Sequence, residues 1–349
     1  LARGLTWKTS FGGDFSYTEE HIYYTNKHVY GSNVGQLTDG RRTLTNLLTE
    51  SVLNYTHTFA DRLKLNAMAG YSYQLYQTST ASQTGNGFPS PSFDVNSVAA
   101  EFTDISTGMS AYALQSYFAR ANLNYDDRYL LTLALRADGS SKFAPGNRYG
   151  YFPSVSAGWN LSEEEFWKAS DIGLKLRASW GATGNQAGIG SYAYQALAGG
   201  GFNYNGANGL ALTAMGNPDL QWEKANQTDV GVDVSFFNGA LTFTADAFIK
   251  DTKNLLYSKP TAATSGFTSY TCNIGSMRNK GLEFAISGTL ASQGGFVWRS
   301  DFNMSFIRNK LTRLLDDSEV ITTSSMHALK VGEEVGAFYM IKALGIYQS

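Results

Sequence analysis

"QTDVGVDVSFFNGALTFTADAFIKDT", residues 227–252, sets an apolar side chain at every second position on either side of a turn. Val230, Val232, Val234 and Phe236 alternate with Asp229, Gly231, Asp233 and Ser235. That period of two belongs to a strand whose faces meet unlike surroundings; a helix would scatter the valines around its circumference. Asn238-Gly239 suits the positive φ of a tight hairpin turn, and Leu241, Phe243, Ala245, Ala247 and Ile249 then resume the alternation against Thr242, Thr244, Asp246 and Lys250. The stretch predicts a long antiparallel hairpin. Its apolar face fits either the core of a soluble β-protein or the lipid around a membrane wall.

Composition narrows the choice. Among 349 residues there are 21 Tyr, 21 Phe and 36 Gly but only 6 Pro, and charged residues make up 16%. This usage suits long strands with many turns and aromatic belts. The formal net charge of -2 offers no basic surface for nucleic acid. A single cysteine, Cys272, excludes an intrachain disulfide framework and a cysteine-based zinc site. No window is apolar enough for a transmembrane helix. A mean hydropathy below zero is nonetheless compatible with a membrane barrel, which hides its apolar residues at alternate positions. The start, "LARGLTWKTSF", has no signal-peptide pattern, and "ALGIYQS" ends in apparent mid-strand, so both ends read as cuts inside a larger protein.

The alternation recurs along the chain: Leu63 to Tyr73, Tyr117 to Leu123, Tyr129 to Leu135, Val155 to Leu161, Leu174 to Trp180, Leu282 to Ile286 and Phe296 to Phe306. With candidates at Leu5 to Tyr24 and Leu44 to Phe59, about eleven strands are expected. Their connections alternate in length. Short turns are predicted at 59–62, 125–128, 162–171, 236–240 and 291–295, and long polar connections at about 25–42, 78–108, 139–149, 183–220 and 258–277. Long loops are uncommon in compact soluble domains, and nothing there sorts them to one rim. Short periplasmic turns opposite long extracellular loops are the arrangement of an outer-membrane barrel. Phe59, Tyr125, Tyr129, Trp167, Phe236, Phe237 and Phe296 lie beside the short turns, as an interfacial aromatic girdle would. The fold class expected is therefore all-β, an antiparallel transmembrane β-barrel.

At "DGSSKFAPGNRYGYFPSVSAGWNLSEEEFW" (138–167) the sequence resembles the barrel of SusC/RagA-type TonB-dependent outer-membrane transporters. The resemblance continues through "LKLRASWGATGNQAGIGSYAY" (174–194), "NPDLQWEKANQTDVGVDVSFFNGALTFTADAFIKDTKNLL" (217–256), "NIGSMRNKGLEFAI" (273–286) and "VGAFYMIKALGIYQ" (335–348). Residues 1–110 fit only as generic barrel strands. What the resemblance implies is roughly half of a 22-stranded barrel, without its plug, TonB-contacting segment and final strand. Alone, such a half would leave two open sheet edges in lipid and should not insert. The resemblance further implies active import of a bulky oligosaccharide or oligopeptide across the outer membrane of a Gram-negative bacterium. Its implied partners are a SusD-like surface lipoprotein, the TonB-ExbB-ExbD complex reached through the missing N-terminal part, and outer-membrane lipid. An outer-membrane barrel enzyme of lipase or protease type and a soluble glycan-binding β-protein are the alternatives.

Enzyme chemistry finds little footing. His21, His28, His57 and His327 show neither HExxH nor metal-ligand spacing, and "GATGNQAGIG" (181–190) lacks the Lys-Ser/Thr of a phosphate-binding loop. No catalytic residue, metal or cofactor is expected. Lys64, Arg120, Arg136, Lys175, Arg177, Asp229, Asp233, Asp246, Glu283, Arg299 and Asp301 are expected to face the lumen, pairing with one another or with the plug. For substrate capture the candidates are the loop aromatics Tyr192, Tyr194, Phe202, Tyr204 and Trp222, whose rings can pack on sugar faces or peptide side chains. Trp222 suits an upper girdle equally well.

Overall fold

The computed structural model describes residues 3–31, 34–167, 171–293, 295–315, 320–342 and 345. In chain order the strands are β1 (Leu5–Tyr24), β2 (Gln36–Phe59), β3 (Leu63–Asn86), β4 (Glu101–Tyr125), β5 (Tyr129–Ser140), β6 (Tyr149–Asn160), β7 (Gly173–Asn185), β8 (Leu197–Gly199) and β9 (Ala211–Ala214). They continue with β10 (Glu223–Phe236), β11 (Leu241–Lys253), β12 (Leu256–Pro260), β13 (Ser269–Asn273), β14 (Gly275–Gln293), β15 (Phe296–Leu314), β16 (Ile321–Thr322) and β17 (Ala328–Leu329). Eleven of them form one sheet in the order β1-β2-β3-β4-β5-β6-β7-β10-β11-β14-β15. The other six make three hairpins, β8-β9 and β12-β13 inside connections and β16-β17 after β15. No described helix is long and apolar enough to cross a membrane, a fact that does not bear on crossing by strands.

The hairpin of residues 227–252 pairs as its alternation predicts, Val232 with Ala245 and Phe236 with Leu241. Its turn sits one residue earlier than Asn238-Gly239 implied. Phe237 (φ 53°) and Asn238 (φ 51°) are the central pair, Gly239 follows at φ 84°, and the Gly239 amide donates to the Phe236 carbonyl at 3.1 Å. Positive φ at both central residues marks a turn whose twist matches the strands it joins. Ala60-Asp61 and Asp126-Asp127 repeat the geometry with φ between 48° and 56°. In the last case polar side chains offset the backbone cost. Asn124 Nδ2 donates to Asp127 Oδ1 at 2.6 Å, the Asp127 amide donates to Asn124 Oδ1 at 2.9 Å, and Lys64 Nζ reaches Asp127 at 3.0 Å. Lys64 and Asn124 thereby hold the Asp127 carboxyl below its ordinary pKa.

Chain contacts divide the molecule into two units. One comprises residues 1–7, 52–70 and 117–349, and the other residues 8–51 and 71–116. The second contains most of β1–β4 away from their turns, where the polar ladder Gln36–Asn86 and Thr38–Thr84 (3.2 and 3.0 Å between side chains) carries strand pairing to the ends of β2 and β3. This corrects the loop limits read from sequence. The connections run over 25–35, 87–100, 141–148, 186–222 and 254–274, so residues 36–42, 78–86 and 101–108 are strand. Those segments lack alternating apolar residues: their side chains pair through polar groups such as Thr38 and Thr84, so backbone pairing persists without the period-two signal. "ALGIYQS" lies, apart from Gly345, outside the described residues, as do 168–170 of the predicted turn at 162–171 and Gly294 of that at 291–295.

Beside the short turns, Tyr125, Tyr129 and Trp159 stack along β4, β5 and β6 with ring centroids 6.4 Å apart at each step. Tyr129 Oη and Trp159 Nε1 both donate to Glu164 Oε1, at 2.7 and 3.0 Å. Those two bonds, with Arg128 nearby, keep the Glu164 carboxyl below the usual carboxylate range. Polar tips tied down beside exposed ring bodies are what a membrane boundary selects.

The turn geometry yields a test. In the intact protein, Asn238→Val should lower the unfolding free energy in a urea titration by about 1–2 kcal/mol, because a β-branched residue is strained at positive φ. Asn238→Gly should match or exceed wild type; equal midpoints for Val and Gly would contradict the assigned turn.

Candidate functional site

Strand registers sort the side chains of β6, β7, β10, β11, β14 and β15 into two faces. On one, Ala178, Val230, Ala247, Leu282 and Phe306 form a row, with Leu176, Val232, Ala245, Phe284 and Met304 beside it. This apolar face is open: Val230 is 54% and Phe306 55% exposed. The other face carries Gly158, Arg177, Gly231, Asp246, Glu283 and Ser305 in one row, and Asn160, Lys175, Asp233, Thr244, Ala285 and Asn303 in the next.

Arg177 is the hub of the polar face. Its Nε donates to Asp233 Oδ2 at 2.8 Å and its Nη2 to Asp233 Oδ1 at 3.0 Å, while Nη2 also lies 2.9 Å from Asp246 Oδ1. The guanidinium thus spans β10 to link β7 with β11. Glycine makes that reach possible: a Cβ at Gly231 would collide with Asp246 Oδ1 and stand 2.8 Å from Arg177 Nη2. Asp229 accepts from Ser179 Oγ at 3.1 Å and from Gln227 Nε2 at 2.8 Å, and Thr244 Oγ1 donates to Asp233 at 3.2 Å.

The remaining charged residues predicted for this face divide. Lys64 pairs with the turn residue Asp127, and Arg136 Nε bonds Asp138 at 2.7 Å while its guanidinium lies over the Phe118 ring, 5.6 Å from the centroid. Lys175, Arg120, Glu283, Arg299 and Asp301 make no ion pair among the described residues. Phe248, absent from the residues predicted for this face, lies on it as its parity with Asp246 and Lys250 dictates. It follows Asp229 in register and its ring covers Gly281, whose Cβ would lie 2.7 Å from Phe248 Cε1.

At the long-connection end, loops are stitched together by side chains. Asn147 Nδ2 donates to the Pro218 carbonyl at 3.1 Å and Asn217 Nδ2 to the Thr271 carbonyl at 3.0 Å. Asn273 exchanges two hydrogen bonds with the Gln221 backbone, both 2.9 Å. Cys272, Ile274, Leu311, Leu314, Ile321 and Leu329 form an apolar core there. Trp222, a sequence candidate for ligand contact, is only 5% exposed. It packs on Phe143 and Phe152, with centroids 5.1 and 5.6 Å away, and donates from Nε1 to the Arg148 carbonyl at 2.9 Å. Its ring therefore locks two connections and offers no free face to a ligand; alternation along "NPDLQW", which also buries Leu220, is the signal that could have shown this.

The other candidates lie in the 186–222 connection. Tyr192 and Tyr194 are half-buried, the Tyr194 hydroxyl accepting from Gln195 Nε2 at 2.6 Å. Phe202 is exposed and Tyr204 is 85% exposed, at a turn whose Asn205 and Gly206 both have positive φ. Leu210 and Leu212 are exposed nearby in sequence. In the second unit a separate polar cluster joins His21 Nδ1 to Asp39 Oδ1 at 2.7 Å and Asn96 Nδ2 to Asp39 Oδ2 at 2.7 Å.

Residues 1–333 match the family described as TonB dependent receptor-like, beta-barrel. The chain belongs to the TonB-dependent receptor β-barrel family. It is 34% identical to TonB-dependent receptor P39 of Formosa agariphila over 100% of this chain and 34% of that protein. With TonB-dependent receptor SusC of Bacteroides thetaiotaomicron it shares 34% identity over 66% of this chain and 26% of the relative. Among solved structures, the RagAB peptide transporter superposes with a TM-score of 0.91 at 26% identity, covering 99% of this chain and 39% of that one. The ferripyoverdine receptor of Pseudomonas aeruginosa shares the fold, with a TM-score of 0.55 at 16% identity. The chain spans about a third of the length of the curated receptors it matches. TonB-dependent receptors are transporters of the Gram-negative outer membrane, and this receptor segment is an outer-membrane protein.

A double-mutant cycle tests the hub of the receptor's polar face. Arg177→Met and Asp246→Asn, singly and together in the intact receptor, should give a coupling energy of about 1 kcal/mol in urea unfolding, the exposure of the pair moderating its strength. Additive effects would contradict the bridge across Gly231.

Proposed function

We propose that this chain forms part of the wall and outer loops of a TonB-dependent importer that carries a bulky oligosaccharide or oligopeptide across the outer membrane. On this reading the apolar face meets lipid, the polar face lines the lumen, and the long connections face the cell exterior. The single observation that carries it is the two-faced sheet: open apolar rows on one side, and on the other a hydrophilic surface in which Arg177 satisfies two carboxylates at once. A wall of this kind lets polar cargo pass without shedding its hydration into lipid. Kinship with SusC and likeness to the RagAB peptide transporter support import and leave both cargo classes in view.

A SusD-like surface lipoprotein would cover the outer mouth, and the TonB-ExbB-ExbD complex would supply the energy through a plug. The exposed Phe202, Tyr204, Leu210 and Leu212 support the 186–222 connection as a contact surface for cargo or lid, since flat and branched apolar groups recover energy by leaving water. Tyr192 and Tyr194 remain candidate cargo contacts, and the buried Trp222 holds the loops that present them.

Uptake by cells supplies the test. Cells expressing the intact transporter should accumulate a fluorescent oligosaccharide or oligopeptide, and deletion of TonB should abolish that accumulation. Phe202→Ala with Tyr204→Ala should weaken cargo or lid binding by about tenfold in calorimetry, the loss of roughly 1.4 kcal/mol. Uptake that persists without TonB would overturn active import.

A further inference from the structure

The apolar face changes character at its long-connection end. Beyond the row of Leu282 and Phe306, the register places Lys280 directly opposite Arg308, then Arg278 opposite Lys310. A third row brings Lys253 and Arg313 to either side of Ser276. All six cations are exposed. Among the described residues, Asp251 is the one carboxylate paired with this set, bonding Arg278 Nε at 2.6 Å. With strands about 4.8 Å apart and same-face residues about 6.7 Å apart, the six side chains share a patch of roughly 10 by 13 Å.

Two features of this patch call for an anion. Like charges directly opposite one another in a ladder destabilise the sheet, and two such pairs are stacked here. Moreover, the cations are confined to one end. The rows from Ala247–Leu282–Phe306 to Leu241–Gly288–Ser300 contain no Lys or Arg on β11, β14 or β15. Mere solubility would not stop the charge at a boundary. Amphipathic side chains at a lipid interface direct their charged tips towards headgroups, and Arg and Lys bind phosphate oxygens through charge-assisted hydrogen bonds. Ile249, Leu282 and Phe306, exposed beside the cations, give hydrocarbon tails an adjoining apolar surface.

We propose that this patch is a binding site for a phosphorylated, multiply acylated lipid of the outer leaflet, its phosphates held by Lys280, Arg308 and Lys310, with Arg278 already engaged by Asp251 through Nε and Nη2, and its acyl chains lying on the rows of Leu282 and Phe306. The site rests on the reading that the apolar face meets lipid and that the long connections point outward. It is separate from the polar face and from cargo.

The experiment uses the intact receptor in detergent, stripped of endogenous lipid and offered diphosphoryl lipid A, with retention read by native mass spectrometry. Wild type should retain the lipid, and Lys280→Gln with Arg308→Gln should lower its occupancy by about tenfold. The same lipid after phosphatase treatment should be retained no better by wild type than by the variant, and inorganic phosphate at millimolar concentration should not displace the intact lipid. Equal retention by variant and wild type, equal retention of the dephosphorylated lipid, or displacement by inorganic phosphate would overturn the proposal. Heat-modifiable electrophoretic mobility verifies that each variant is folded, and Lys310→Gln provides a milder second variant. Membrane insertion is scored in parallel: an inserted receptor that holds no lipid defeats this site alone, whereas failure to insert defeats the membrane reading beneath it.

Discussion

A polypeptide crossing hydrocarbon must satisfy its backbone N–H and C=O groups within itself, and every other feature of this chain follows from that constraint. Each strand between β1 and β15 in the main sheet has a hydrogen-bonded neighbour on both sides. Continuous pairing in turn dictates alternation, because successive side chains must leave the sheet on opposite faces. The sequence fills the two sets of positions with opposite chemistry. The short turns obey the same constraint: three of them place non-glycine residues at positive φ, the twist that returns the next strand beside its neighbour within a few residues.

The two faces solve different problems. On the apolar side, packing against a fluid requires little beyond hydrophobicity, and large side chains stand open there. On the polar side, Arg177 neutralises Asp233 and Asp246 across strands, while Lys175 and Glu283 make no ion pair among the described residues. Gly231 and Gly281 act as gaps over which Arg177 and Phe248 reach their neighbours. At the loop end, stabilisation comes instead from Asn side chains capping carbonyls of other connections and from Trp222 buried between Phe143 and Phe152. Loops fastened in this way present their exposed tips, Phe202 and Tyr204, from a fixed base.

Most of the wall was legible in the sequence, because period-two alternation depends on residue identity alone. Strands β5, β10 and β11, the short turns and the opposed rows of valine and aspartate could all be read from it. What escaped depends on partners. Thr38 and Thr84 lie in strand that carries no apolar alternation, so the ends of β2 and β3 resembled loop. Register cannot be read from one strand, so neither the bridge from Arg177 to Asp246 nor the pairing of Lys280 with Arg308 was visible. Trp222 looked like a free aromatic because its Nε1 partner is a backbone carbonyl distant in sequence. Family resemblance, borne out by the match over residues 1–333, supplied what periodicity could not: the kind of barrel.

The central claim is that neighbouring residues of one strand meet lipid and water. A single fluorophore at Val232, and separately at Asp233, in the intact receptor reconstituted into vesicles distinguishes the two media. Quenchers carried on lipid acyl chains should reach the label at Val232 and spare the one at Asp233, with a water-soluble quencher giving the reverse order. Equal quenching of both positions by the lipid-borne reagent would contradict a two-faced membrane wall.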